Sequence, residues 1–397
     1  MDWDPEIDTP ATIAIVGAGP AGVEAALYAR FLGYFVMLFD TRRVGHRLLA
    51  CGDQPLEQPW SEVTSPLGLA AMAAQGTGKA LPASDARVSY RQYVEEYLIP
   101  VARTDLLYES VQVNSPVVSI SRTCCAPHQT VPLGRRSEQE FRLLIDSQQR
   151  GEYTQLADIV LDCSGLSRLP GLASGSGLAI GERANLHEML LGRVDVLGKQ
   201  RERLSGKHAL IYGRDWAACA NALDIVKLSQ EVPGTRATWI APKQLGNQDL
   251  LGLPADIPAE FVAAAQRLAT NEESDSPIGC IAAWGIEAVQ FDAAGGWRAR
   301  LQVEEEGTLD VQGDVFINCR DARCDWSMVG SMPLATEVAS DGSTGEPHYY
   351  VMGHKAVGAD TSFAVTHAFE QIKQVFARIG GRADLDLYDT VRRHMES

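Results

Sequence analysis

No run of apolar residues in this 397-residue chain reaches the roughly 18 needed to cross a bilayer as a helix. Its first ten residues, MDWDPEIDTP, are acidic where a secretory leader is basic and then apolar, so a cytoplasmic protein is expected. Positive charge is in short supply: 35 Lys and Arg against 51 Asp and Glu leave 35 − 51 = −16. That field repels phosphate backbones and anionic lipid, so neither a nucleic acid nor a membrane surface is an expected partner. Among the eight cysteines (Cys51, Cys124, Cys125, Cys163, Cys219, Cys280, Cys319 and Cys324) there is no C-x-x-C, which removes the usual zinc-ribbon and redox-dithiol readings. The nearest approach is Cys319-x4-Cys324, behind the apolar run VFIN. Cys124-Cys125 is a vicinal pair whose bonding to each other would be strained. Free thiols are expected, and no metal cluster or Ser/His/Asp hydrolase signature stands out.

What is present is an ordinary globular composition, 45% hydrophobic and 22% charged. At about 150 residues per domain the length suggests two or three domains, with two as the working number. Residues 11–17 (ATIAIVG) form a β-branched apolar run, followed by a glycine turn and a helical pattern to about Arg30. The run 35–40 (FVMLFD) completes a βαβ unit, and a parallel sheet is implied. A second such unit follows: strand 208–213 (HALIYG), helix from about Trp216 to Leu228, strand 237–241 (ATWIA). Between them, 92–104 reads as a helix, while 109–121 and 140–147 alternate like antiparallel strands. LADIVLDCSG (156–165) is a strand delivered into a tight turn, and the Gly/Ser-rich 164–181 looks like a domain crossing. Further on, 296–303, 309–319 and 348–353 read as strands. In 361–379, Val365, Ala368, Phe369, Ile372, Val375, Phe376 and Ile379 recur at spacings of three and four, and Gly380-Gly381 stops the helix.

Gly17, Ala18, Gly19, Pro20, Ala21 and Gly22 make the first turn a dinucleotide fingerprint. The first glycine permits the tight turn, the second lets a pyrophosphate reach the backbone, and the third lets helix pack on strand. The helix N-terminus offers N–H groups and positive dipole to phosphate. Asp40, at the end of the second strand, is placed to accept from a ribose diol. The second turn is degraded: Gly213-Arg214-Asp215-Trp216-Ala217-Ala218 carries Asp215 where the second glycine belongs. Its site is either vestigial or a weak nicotinamide site. No acid ends its second strand, where Ala241, Pro242 and Lys243 stand. Arg214 and Lys243 are placed for a 2′-phosphate, which favours NADPH over NADH.

GAGPAGVEAALYARFLGY, followed by a strand ending in Asp, resembles the FAD fingerprint of the two-dinucleotide-binding-domain flavoproteins, the group holding thioredoxin reductases and flavin-containing monooxygenases. IVLDCSG is similar to that group's second turn, placing Ser164 and Gly165 beside the FAD. GEPHYYVMGHKAVGADTSFAVTHAFEQI is similar to its C-terminal segment, which puts Gly353 and the following turn near the flavin. The resemblance implies an α/β protein whose FAD-binding Rossmann-like domain (1–170 and 306–397) carries an inserted Rossmann-like NAD(P)-binding domain (171–305). It further implies FAD and NADPH as cofactors, and an oxidoreductase resembling flavin monooxygenases that acts on a small organic substrate.

The departures from that pattern limit what it implies. Neither the C-x-x-C of thioredoxin reductases nor the C-x4-C of glutathione-reductase relatives stands at its usual place, which argues against disulfide reduction. Of the monooxygenase linker motif only Gly181 and His187 remain. Where the group often has an Asp after the C-terminal strand's glycine, this chain has His354. Either Asp360 replaces it, or His354 itself donates to the ribityl chain or flavin. The loop with Trp60, Ser65 and Pro66 either reaches over the flavin or is an ordinary surface loop. His46 and His187 are acid–base candidates, and no catalytic residue is assigned. The other reading is an FAD-binding protein with a vestigial second site, serving as redox sensor or assembly partner, or a reductase fed by another donor.

Overall fold

The computed structural model describes residues 11–396 apart from 54, 57, 77–79, 124–130, 168–170, 244–250, 252, 254–257, 273–274, 304–306, 321–322, 331, 333, 335–337, 340 and 358–364. The Cys124-Cys125 pair and Asp360 therefore lie outside the described residues. The chain divides into two compact units, Met1–Leu166 with Cys324–Ser397, and Ser167–Arg323.

The first unit is built on a five-stranded parallel sheet in the order Tyr349–Val351, Ile159–Asp162, Thr12–Val16, Phe35–Phe39, Val111–Gln112. Its inner strands are covered on both faces, which is why TIAIV and IVL are continuous apolar runs rather than alternating ones. Helix Pro20–Phe31 buries a small-residue stretch including Ala21, Ala25, Ala26 and Ala29, and Tyr28 stacks on Phe376 at 5.1 Å. Phe376 belongs to helix Val365–Ile379, whose buried Ala368, Ile372, Val375 and Ile379 follow the expected spacing. A three-stranded antiparallel sheet (Val117–Arg122, Phe141–Ser147, Gly151–Ala157) covers another face.

Two elements differ from the sequence reading. Residues 109–121 are not one strand: Val111–Gln112 joins the parallel sheet and Val117–Arg122 the antiparallel one. The break falls where Asn114 adopts φ +50° and Pro116 withholds a ladder donor. The helix of 92–104 is interrupted by a π-helical turn, Val94–Leu98, between Tyr90–Tyr93 and Ile99–Ala102. Pro100 has no N–H for the carbonyl four residues back, and the widened turn precedes it.

The second unit repeats the plan, with a parallel sheet in the order Ile278–Ala283, Arg236–Pro242, His208–Tyr212, Val315–Asn318, Leu190–Leu191 and an antiparallel sheet of Gly285–Asp292, Gly296–Gln302 and Thr308–Gly313. The expected strand 309–319 is two strands in two sheets. Val315–Asn318 lies beside His208–Tyr212, and this keeps the chain in the second unit to Arg323 rather than releasing it near 306. The other boundary falls at Leu166 rather than at 170.

Candidate functional site

Each glycine of the first turn has a distinct steric duty. Gly17 sits at φ +103°, and a Cβ there would lie 2.5 Å from the Cys163 carbonyl oxygen. Only glycine satisfies both conditions. A Cβ on Gly22 would collide with the Gly17 carbonyl, so this glycine permits the close helix–strand approach. Gly19 is different: its backbone is extended (φ −82°, ψ −172°), and a Cβ on it would meet nothing within 4 Å. The space in front of Gly19 lies at the head of helix Pro20–Phe31, whose N-cap supplies no side-chain hydrogen bond. Pro20 at the first helical position withholds no needed donor, and the amides of Ala21 and Gly22 remain for an anion.

Around that space the structure gathers most of the residues expected from the sequence. Asp40 Oδ2 accepts from Ala18 N at 2.7 Å and Oδ1 from Arg42 N at 2.9 Å, which fixes a half-buried carboxylate with lone pairs to spare. Ser164 donates from N and Oγ to Asp162 Oδ1 (3.1 and 2.6 Å), and Gly165 turns at φ +69°. Arg47, which donates to the Leu166 carbonyl, has Nη1 3.5 Å from where a Cβ on Gly165 would stand. Gly353, also left-handed at φ +69°, donates its N–H to Gln371 Oε1 at 2.8 Å, and a Cβ on it would lie 3.4 Å from Ala21 Cβ. The C-terminal turn thus abuts the N-terminal end of helix Pro20–Phe31. The His354 side chain is exposed.

Other candidates have structural work. Trp60 is buried edge-on against Tyr97 at 6.1 Å, and Ser65 Oγ caps helix Pro66–Ala74 by accepting from Gly68 N at 2.8 Å. This ties that stretch into the core. His187 is exposed beside Glu188. Burial, and then Arg42, push the His46 imidazole below its ordinary value, so it stays neutral at physiological pH. Cys319 is fully buried with Sγ 3.1 Å from Asn221 Nδ2, and Cys324 Sγ donates to the Lys355 carbonyl. Neither takes part in a disulfide.

Two buried groups escaped the sequence reading. Lys355 and Asp162 form an ion pair of 2.6 Å with both side chains fully buried, and Tyr349 Oη donates to the same Asp162 oxygen at 2.7 Å. Glu24, on helix Pro20–Phe31, is buried among Ser65, Tyr97 and Tyr388, and burial pushes its carboxyl up to about 7. The one available signal was a charged residue standing inside an otherwise apolar pattern, IVLD for Asp162 and AGVEAAL for Glu24.

In the second unit Gly213 (φ +142°) packs its Cα against the Cys319 carbonyl as Gly17 does against Cys163. Asp215, however, is the N-cap of helix Trp216–Glu231, its Oδ1 accepting from Ala218 N at 2.9 Å. The carboxylate occupies the place where phosphate would meet that helix. Ala218, fully buried, stands in for the third glycine. Arg214 is buried, and its Nη1 has no partner among the described residues. Lys243 donates to the Val303 carbonyl at 2.8 Å, 5.6 Å from the Trp284 ring centroid.

Two dinucleotide-type units, the second inserted in the first along the chain, make up the fold. Solved structures share that fold. The chain is similar to the bacillithiol disulfide reductase Bdr of Bacillus cereus (13% identity, TM-score 0.64, over 94% of this chain and 99% of that one). It is similar too to DfoA, a cadaverine monooxygenase from Erwinia amylovora solved with FAD (14%, 0.64, 94% and 95%). The ornithine N-hydroxylase KtzI of Kutzneria, solved with reduced FAD, NADP+ and L-ornithine, matches at 14% and 0.59 over 93% and 98%. No protein-family model and no curated protein matches the chain. No helix among the described residues is long and apolar enough to cross a membrane.

Proposed function

We propose that the protein is an FAD-dependent oxidoreductase of the NAD(P)H-using kind, acting on a small organic substrate. The observation that carries this reading is the open space at Gly19, walled by Gly17, Gly22 and Asp40 at the head of an uncapped helix. Those residues suit FAD. The amides of Ala21 and Gly22 would face the pyrophosphate, Asp40 would accept from the adenosine ribose, and the Ser164–Gly165 and Gly353 turns would border the rest of the cofactor. When bound, FAD supplies two-electron chemistry that no side chain provides. The protein's own part is to hold, orient and seal it.

The DfoA structure holds FAD, and the KtzI structure holds reduced FAD and NADP+. The absent C-x-x-C and the buried Cys319 favour a small-molecule electron acceptor, or O2, over a protein disulfide.

A second reading is favoured by Asp215. A carboxylate capping the helix where a pyrophosphate would approach costs on the order of 1 kcal/mol or more at an effective dielectric near 20, and it fills space that glycine leaves open. Asp215→Gly is expected to tighten NADPH about tenfold or more, since each 1.4 kcal/mol is a factor of ten. Glycine caps a helix nearly as well as Asp, so the substitution costs only a few tenths of a kcal/mol in stability. Titrating wild type and variant with NADPH separates the readings. Weak binding that tightens supports an enzyme fed by NADPH. Absence of binding in both makes the second unit structural and the protein an FAD protein supplied by another donor.

A further inference from the structure

We infer that Lys355 is a positioning residue for the dinucleotide cradle of the first unit, an inference that rests on the FAD reading above. Its side chain is fully buried. The ammonium spends its three donors on three acceptors: Asp162 Oδ2 at 2.6 Å, the Asp325 carbonyl at 2.7 Å and Ser164 Oγ at 3.3 Å, with the Trp326 ring centroid 4.4 Å away. These partners come from two other chain segments, and both are tied to the cradle. Asp162 holds Ser164 through two hydrogen bonds. The next residue, Cys163, presents the carbonyl against which Gly17 turns. Lys355 itself follows Gly353 by two residues, and Gly353 abuts Ala21. A single cation therefore sets the second turn, the 324–326 segment and the C-terminal turn relative to one another. None of the fingerprint residues does this.

A buried ion pair is a poor device for stability, because desolvation cancels most of its attraction and an apolar pair of similar size often does as well. What the pair adds is directionality, three hydrogen bonds whose geometry fixes where Ser164 and Asp325 lie. Loss of Lys355 therefore has two separable consequences. It strands the Asp162 charge, which affects folding, and it releases the three segments, which affects the cofactor.

The test uses the full chain as wild type, Lys355→Met and the double variant Asp162→Asn/Lys355→Met. FAD affinity is read by fluorescence quenching, the shape of the visible flavin band by absorbance, and stability by thermal unfolding of the apoprotein. Lys355→Met is expected to weaken FAD at least tenfold and to lower the unfolding temperature. The double variant, with no stranded charge, is expected to recover most of the unfolding temperature while FAD affinity stays at least tenfold down and the flavin band stays altered. Recovery of affinity together with stability would show that Lys355 merely neutralises Asp162, and would overturn the inference. So would FAD affinity within twofold of wild type in both variants. Failure of the wild type to bind FAD is a different outcome, which removes the functional reading and this inference with it.

Discussion

Gly19→Val is expected to give a folded, colourless protein. The backbone there is extended, so valine adopts it without strain, and a Cβ meets nothing within 4 Å. The fold should hold, losing only about 1 kcal/mol because valine is a poorer N-cap than glycine. The cofactor should, because the new side chain stands in the space through which a pyrophosphate reaches the amides of Ala21 and Gly22. A loss of at least about a hundredfold in FAD affinity is expected, roughly 2.8 kcal/mol. The flavin-to-protein absorbance ratio after reconstitution measures it, with circular dichroism as the control for folding. Gly17 and Gly22 offer no such clean test, since side chains at both run into backbone and would harm the fold directly. A yellow Gly19→Val protein with full FAD occupancy would place the cofactor elsewhere.

The second large effect concerns Glu24. Its carboxyl is fully buried, and the residues surrounding it are hydroxyl-bearing rather than cationic: Ser65, Tyr388 and Tyr97, with Tyr93 near. Burial raises it from 4.5 to about 7, against the smaller opposing pull of those hydroxyls. The folded state therefore holds this proton across a pH range in which the unfolded chain has released it. Stability falls as pH rises from about 4.5 and levels off above about 7. At 1.36 kcal/mol per pH unit the loss is on the order of 3 kcal/mol. Glu24→Gln keeps the shape and removes the titration. It is expected to match wild type near pH 4.5 and to exceed it by about 3 kcal/mol at pH 8, as read from urea unfolding at the two pH values. A wild-type-to-variant difference that does not change between them would mean that Glu24 is ionised in the folded protein.

The local geometry at Gly17, Gly19, Gly22 and Asp40 was legible in the sequence because each residue's place is decided within one βαβ unit: a turn, a gap, a close approach, a strand-end acceptor. The degraded second turn was legible for the same reason, and Asp215 proved to be the N-cap of the helix it precedes. What stayed hidden depends on partners far apart in the chain. Asp162 and Lys355 are 193 residues apart, and nothing local in IVLD or GHKAV says that they meet. The same holds for Arg122, which binds Glu346 at 2.8 Å across 224 residues, both side chains buried. The divided strands at 109–121 and 309–319 were misread because periodicity reports burial on a face and is silent about which sheet supplies it.

The proposed function requires the first unit to hold an FAD that NADPH can reduce. Anaerobic mixing of the purified, FAD-loaded protein with NADPH and, separately, with NADH tests it most directly, with the flavin band near 450 nm followed before and after air is admitted. Bleaching by NADPH, slower bleaching by NADH, and return of the band in air are expected. A flavin that stays oxidised with both nucleotides, or a protein that takes up no FAD at all, would contradict it.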